Sequence, residues 1–411
     1  MLTPRRAVNL TITIALALAF FVGSAHAFMI GLGGEALSGS DALYALNSHG
    51  REVKIAQTGT QGPDWVVFED IGLPSVASDG TVLFGAARTS NHQLRWSIFV
   101  AEPDSGALLR VALPTASEGG SNLDMIVDPR PQQTSDGGIV FLAHESSGHD
   151  ALFKLTHGKL KRLLRTGERL SDGRMLHLIT FGSLIPESQG GVAFLAFLEP
   201  GGQAEMMVSE SGAVTVLALQ DKQLPNREHF KIFGPPASTV TKDGPVVAFM
   251  ARTDRGDGLF TFAGGKLSKV LSQSAPCGLG HIDFLSTASP GLNKDGALAV
   301  RGRCSGTMGI FLVKRGSAKL VVSADQATGH GARFDRLGDP MLSERTVFFG
   351  ALDSDGASNL FDVFEGKINQ FLPMETPAST VAYERGASRH TIETTSVSVN
   401  QRGRIAYLGS P

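Results

Sequence analysis

The sequence predicts an all-β chain, a seven-bladed β-propeller with four antiparallel strands per blade, on three observations. A tight turn followed by an apolar strand recurs seven times at a nearly even step. Each unit holds four runs of strand length separated by glycine-bearing turns, and helical periodicity is largely absent. The residues that follow an N-terminal leader repeat the second half of a unit, and the matching first half stands at the far end of the chain.

The leader is residues 1–27. Arg5 and Arg6 make a positive start, residues 8–22 are apolar apart from small polar residues, and Ala25-His26-Ala27 supplies a small-x-small cleavage site. The apolar stretch is shorter than the roughly 20 residues that span a bilayer. The expectation is a cleaved signal peptide and export to the periplasm or the extracellular space, with no membrane span in the mature chain. A single propeller domain, 28–411, is expected to follow.

Composition narrows the partners. The chain carries a formal charge of −2, and loss of the two leader arginines takes it to about −4. A nucleic-acid partner calls for a basic footprint, which this balance excludes. Forty-nine glycines with few long polar runs indicate tight turns in a packed chain rather than disorder.

The recurring turn and strand read SDGTVLF ending at Phe84, SDGGIVF at Phe141, SQGGVAF at Phe194 and KDGPVVAF at Phe249. KDGALAV at Val300, SERTVFF at Phe349 and QRGRIAY at Tyr407 complete the set. Successive end points lie 57, 53, 55, 51, 49 and 58 residues apart, and each step is long enough for a four-stranded blade. The third unit shows the pattern in full. VAFLAFL, a loop EPGGQ, AEMMVSE, a turn at Ser211-Gly212 and AVTVLAL follow one another.

A linear solenoid would satisfy the period but would need polar caps at its ends. The two half-units favour a ring. The final unit, from about residue 394, supplies two inner strands, and DALYALNSHGREVKIAQTG, residues 41–59, resembles the outer pair DALFKLTHGKLKRLLRTG of the second unit. Joined, 394–411 and 41–59 make a seventh blade closed from both ends of the chain.

NKDGALAV with Asn293, NQRGRIAY with Asn400, and TKDGPVVAF resemble the NxxGxxAF tandem repeat of exported bacterial proteins. The resemblance implies an exported, propeller-like protein and carries no catalytic residues to transfer. The SDG turn before an apolar strand is also similar to the propeller repeat of the Tol-system periplasmic protein.

In a propeller, the loops between strands two and three and those between blades share one face, normally the ligand face. Of the ten histidines beyond the leader, His92, His144 and His149 map to the first kind of loop. His177, His229, His281, His330 and His390 map to the second, and only His49 and His157 to the opposite face. His177, His229, His281 and His330 each precede a phenylalanine by three or four residues, close to the blade period. They are the candidate metal or anion ligands, set against the plainer reading of a duplicated loop. HESSGHD, with His144 and His149, is a candidate clip. Asp254 in TDRGDG and Asp353 in DSDGASN occupy equivalent ligand-face loops and read as tight turns or weak calcium loops.

Cys277 and Cys304, the only cysteines, are expected to form a disulfide between two ligand-face loops. No nucleophile elbow, phosphate loop or dinucleotide fingerprint stands in the sequence, and no cofactor is required by it. The functional expectation is a monomeric exported binding module for a protein or a glycan. The alternative is a channel-mouth hydrolase or lyase, metal-dependent or not, working through ligand-face histidines and aspartates.

Overall fold

The computed structural model describes residues 42–90, 93–114, 122–128, 130–134, 136–180, 185–186, 191–278, 280–314, 317–328, 332–354, 358–371 and 392–409. They lie within one compact unit, Ser40–Pro411. Seven antiparallel sheets are present, each four strands across from the channel outward. Blade 4 is representative. Phe230–Phe233 and Ala237–Thr241 share the innermost position, followed by Gly244–Thr253, Gly256–Ala263 and Lys266–Ser272.

The split innermost strand recurs in six blades and was not anticipated. In several of them the crossing segment bears a proline, as in Gly72 to Pro74 in blade 1, Gly234 to Pro236 in blade 4 and Gly338 to Pro340 in blade 6. Proline has no N–H to give to a ladder. Gly234 is there for space, since a Cβ on it would stand 1.7 Å from the Thr287 carbonyl oxygen of the next blade.

Blade 7 is the predicted composite. Its order from the channel is Ile392–Val399, Ile405–Gly409, Ala42–Leu46 and Glu52–Gln57. The N- and C-terminal strands pair Leu43 with Leu408, Tyr44 with Tyr407 and Ala45 with Ala406. The Tyr44 and Tyr407 rings stack at 5.5 Å, and the Tyr407 hydroxyl donates to Glu52. The innermost segments touch in cyclic order from blade 1 round to blade 7, and Ile392–Val399 of blade 7 meets Ser75–Val76 of blade 1.

The repeated sequence has a packing reason. The large residue ending each motif faces a partner on strand three, and in five blades both are aromatic and stacked, as in Phe249 with Phe260 at 5.8 Å. Blades 3 and 5 have Phe194 opposite Met206 and Val300 opposite Phe311. The core sits between blades, with an apolar cluster at each of the seven seams. Leu142, Leu152, Phe194 and Met206 fill the seam of blades 2 and 3, and Leu43, Ala406, Phe84 and Phe99 that of blades 7 and 1.

The asparagine of the turn motif is an inter-blade tie. Asn400 Oδ1 accepts from the backbone N–H of Arg402 and Arg404, holding the turn, while its Nδ2 donates to the Ala77 carbonyl of blade 1 at 2.6 Å. Asn293 does the same for its own turn and donates to the Glu344 carbonyl of blade 6 at 2.8 Å.

Candidate ligand-binding face

The sequence-predicted residues separate into three groups. Cys277 and Cys304 form a disulfide, with both residues buried and their Cα atoms 6.3 Å apart. It joins the approach to blade 5 with the end of that blade's second strand. Closing a loop of 27 residues stabilises the fold by roughly 3 to 4 kcal/mol on the chain-entropy estimate.

The phased histidines do not share one structural position. His229 and His281 do, since each makes a lone bridge back to its own loop, with Gln223 and Pro276. The equivalents in blades 6 and 3 are Arg333 and Met175. His177 lies two residues beyond Met175 inside the strand Met175–Ile179, at the bulged position that Lys231, Asp283 and Asp335 hold in blades 4, 5 and 6. His330, like His92 and His390, lies outside the described residues.

The shared position has a structural task. The backbone N–H of His229 donates to Asp254 Oδ1, that of His281 to Ser305 Oγ and that of Arg333 to Ser354 Oγ. Each ties a blade-entry loop to the hairpin of its own blade. His229 Nδ1 also lies 3.0 Å from Asp254 Oδ2, and the bonds from His229 hold the Asp254 carboxyl below the usual range. His281 Nδ1 instead faces the Ser274 carbonyl at 3.0 Å.

The acidic loops are likewise engaged. His144 sits on the strand Ile139–Glu145 rather than in the loop, with Nδ1 2.8 Å from Asp150 Oδ1. Glu145 pairs with Arg162, and His149 occupies the turn beyond it. Asp257 is buried against Arg252 at 2.8 Å, and Asp353 closes the strand Val347–Asp353. Among the described residues, no group of three or more His, Cys, Asp or Glu side chains is placed to hold a metal ion.

The most distinctive feature of this face lies elsewhere, in a groove of about 440 Å³ between blades 1 and 2. Arg88 and Arg95 reach it from the second and third strands of blade 1, Arg110 from the end of the fourth, and Asp124 from the innermost strand of blade 2. Trp96 lines the groove and packs against the apolar cluster of that seam. Asp64 lines it from the loop joining blade 7 to blade 1, and the next residue is Trp65.

Trp65 is 84% exposed, and both Asp64 and Trp65 hold positive φ, 57° and 62°. Two consecutive non-glycine residues in the left-handed region carry a strain of order 1 kcal/mol or more each. The strained turn presents the largest side chain of the alphabet to solvent. Leu109, on the strand near this turn, is 63% exposed. A second groove, about 950 Å³, opens on the opposite face between blades 4 and 5. Its Lys242-Asp243 and Lys294-Asp295 turns balance in charge, and no aromatic residue lines it.

A family model described as a family of unknown function (DUF7453) matches the chain twice, over residues 22–207 and 198–410. The chain belongs to this family. No curated protein matches its sequence. Among solved structures it is similar to the acylaminoacyl peptidase of Pyrococcus horikoshii, at 12% identity and TM-score 0.49 over 83% of this chain and 49% of that one. The chain therefore spans about half the length of the peptidase. It is also similar to the Dos1 propeller, at 12% identity and TM-score 0.39 over 89% and 80% of the two chains. AofleA from Arthrobotrys oligospora follows at 11% identity and TM-score 0.35 over 65% and 74%. At such identities and scores, nothing about activity or ligand passes to this DUF7453 protein.

Proposed function

We propose that this protein is an exported binding module, a monomeric propeller whose ligand face recognises a protein or a glycan through the groove between blades 1 and 2. The observation that carries the reading is Trp65, an almost fully exposed indole held in a strained turn beside an arginine-bearing groove. Exposed aromatics and arginines are the residues that anchor recognition surfaces, and strain at a site is a pointer to its use. Export is supported by the leader, by the Cys277–Cys304 disulfide and by the resemblance to exported NxxGxxAF proteins. Among the described residues no helix is long and apolar enough to cross a membrane.

A second reading, a channel-mouth hydrolase or lyase, is favoured by one contact. Asp254 orients the His229 imidazole through Nδ1, the arrangement that leaves Nε2 to move a proton.

One experiment separates the two. The folded chain, immobilised, is screened against glycans and envelope proteins of defined identity, and each bound ligand is recovered and assayed for cleavage. The binding reading predicts saturable capture that Trp65→Ala reduces at least about ten-fold and His229→Ala leaves intact, with the ligand recovered whole. Ligand cleaved by the parent chain and spared by His229→Ala would establish the second reading instead. Capture unaffected by Trp65→Ala would remove the groove from the account.

A further inference from the structure

We infer that the groove between blades 1 and 2 binds a carboxylated saccharide, with Arg88 and Arg95 holding the carboxylate and Trp65 lying against a sugar ring. The inference rests on the binding reading above and names its ligand class.

The charge arrangement comes first. Arg88 and Arg95 are direct cross-strand partners in the hairpin of Val82–Ser90 and Gln93–Glu102. Like charges in that relation repel and destabilise a sheet, and neither side chain is needed to fill a seam, because both are exposed. The nearby acids do not settle them. Asp124 is 4.0 Å from Arg95 and Asp64 is 3.9 Å from Arg110, both beyond hydrogen-bond reach and at exposed sites. Among the described residues Arg88 has no ion pair. Three guanidinium groups against two carboxylates leave the groove one positive charge in excess. Their donors form planar forks that match a carboxylate in bidentate fashion.

The apolar half of the site selects the rest of the ligand. Trp65, the residue after the groove-lining Asp64, offers a flat, exposed indole, and Trp96 forms part of the wall. Sugar rings present a face of C–H groups that lies well on such a surface, while their hydroxyls stay in water at the open side. The groove volume of about 440 Å³ falls in the range of small-ligand sites, roughly 300–1,000 Å³. A nucleic-acid strand fits poorly, because the chain as a whole carries net negative charge, with a pI near 6.6.

Calorimetric titration tests this with trigalacturonate as the probe, its carboxyl-reduced neutral form as the control, and polyglutamate and inorganic triphosphate as competing anions. The expected result is saturable binding of trigalacturonate that weakens with added salt. Reduction of its carboxyls is expected to cost at least about ten-fold in Kd, as is the pair Arg88→Gln with Arg95→Gln. Trp65→Ala is expected to weaken it comparably. All three positions are exposed, so an unchanged melting temperature verifies that the variants are folded. Equal affinity for the neutral form would overturn the carboxylate inference and leave the binding reading standing. Equal affinity for polyglutamate or triphosphate would overturn the saccharide inference in favour of a general anion surface. No binding of trigalacturonate, while the Trp65-dependent screen captures another ligand, would overturn this inference alone. Blank results in both would overturn both.

Discussion

Deletion of residues 41–59 is expected to abolish the folded ring. The five residues Ala42–Leu46 are all buried, and they form the third strand of blade 7. Leu43, Tyr44 and Leu46 are each worth about 2 kcal/mol of apolar burial. Without them the strand Ile405–Gly409 keeps an unpaired edge, and the seams to blades 1 and 6 lose residues from both clusters. A typical domain holds only about 5–15 kcal/mol in total, so the loss is of the same order as the whole. Thermal unfolding followed by circular dichroism should show no cooperative transition near that of the parent chain. A synthetic peptide of residues 41–59 added in trans should restore one. An unchanged melting temperature in the deletion would refute ring closure by these strands.

Glu205→Leu is expected to stabilise the fold by about 4 kcal/mol at pH 7, combining removal of an unsatisfied buried carboxyl with the burial of an aliphatic side chain. Glu205 is completely buried on the third strand of blade 3, and neither carboxyl oxygen has a hydrogen-bond partner. Its cross-strand neighbours are Leu195 and Ala218, which pack with Phe230, Phe249 and Phe260 of blade 4. The same position is Ile98, Leu152, Leu259, Ile310, Leu360 and Leu43 in the other blades, all buried. Blade 3 alone places an acid where the ring wants an aliphatic.

Burial drives the Glu205 carboxyl well above its ordinary value of 4.5. The native chain therefore keeps a proton that the unfolded chain releases above about pH 4.5. The sign follows from linkage. Stability contributed by this group is greatest at or below that pH and declines as pH rises towards the native value. The gain from Glu205→Leu should accordingly be larger at pH 8 than at pH 5 when measured by denaturant unfolding. A gain equal at both pH values, or no gain, would contradict the assignment.

Much of the fold was legible because the features that build it are local or periodic. The turn-and-strand motif, the strand runs of blade 3 and the shared half-unit of residues 41–59 all follow from short patterns, and ring closure from their complementarity. The split inner strand was harder to see, since Gly234-Pro235-Pro236 reads as an ordinary turn until its place beside the channel is known. The function-bearing features depend on register. Arg88 and Arg95 are seven residues apart in sequence, and only the pairing across the hairpin sets them opposite each other. His177 shows the converse: it falls in phase by residue count, yet in space Met175 takes the place of His229 and His281 while His177 stands at the bulge that Lys231 and Asp283 occupy. Glu205 did leave a trace: Ala204-Glu205-Met206 aligns with Ala151-Leu152-Phe153 once the strands are superposed, and the exchange of leucine for glutamate stands out. Trp65 left none, because the strain that exposes it belongs to backbone angles.

The most direct test of the central claim uses the chain's own reporters. It contains two tryptophans: Trp96 lines the groove between blades 1 and 2, and Trp65 directly follows Asp64 of its lining. Intrinsic tryptophan emission, titrated with a ligand whose binding is measured in parallel by calorimetry, therefore reports that groove and little else. A ligand in this groove should give a saturable change in emission with the calorimetric Kd, largely lost in Trp65→Phe. Binding that saturates by calorimetry while the emission stays unmoved would contradict it, because the ligand would then sit on another part of the ring.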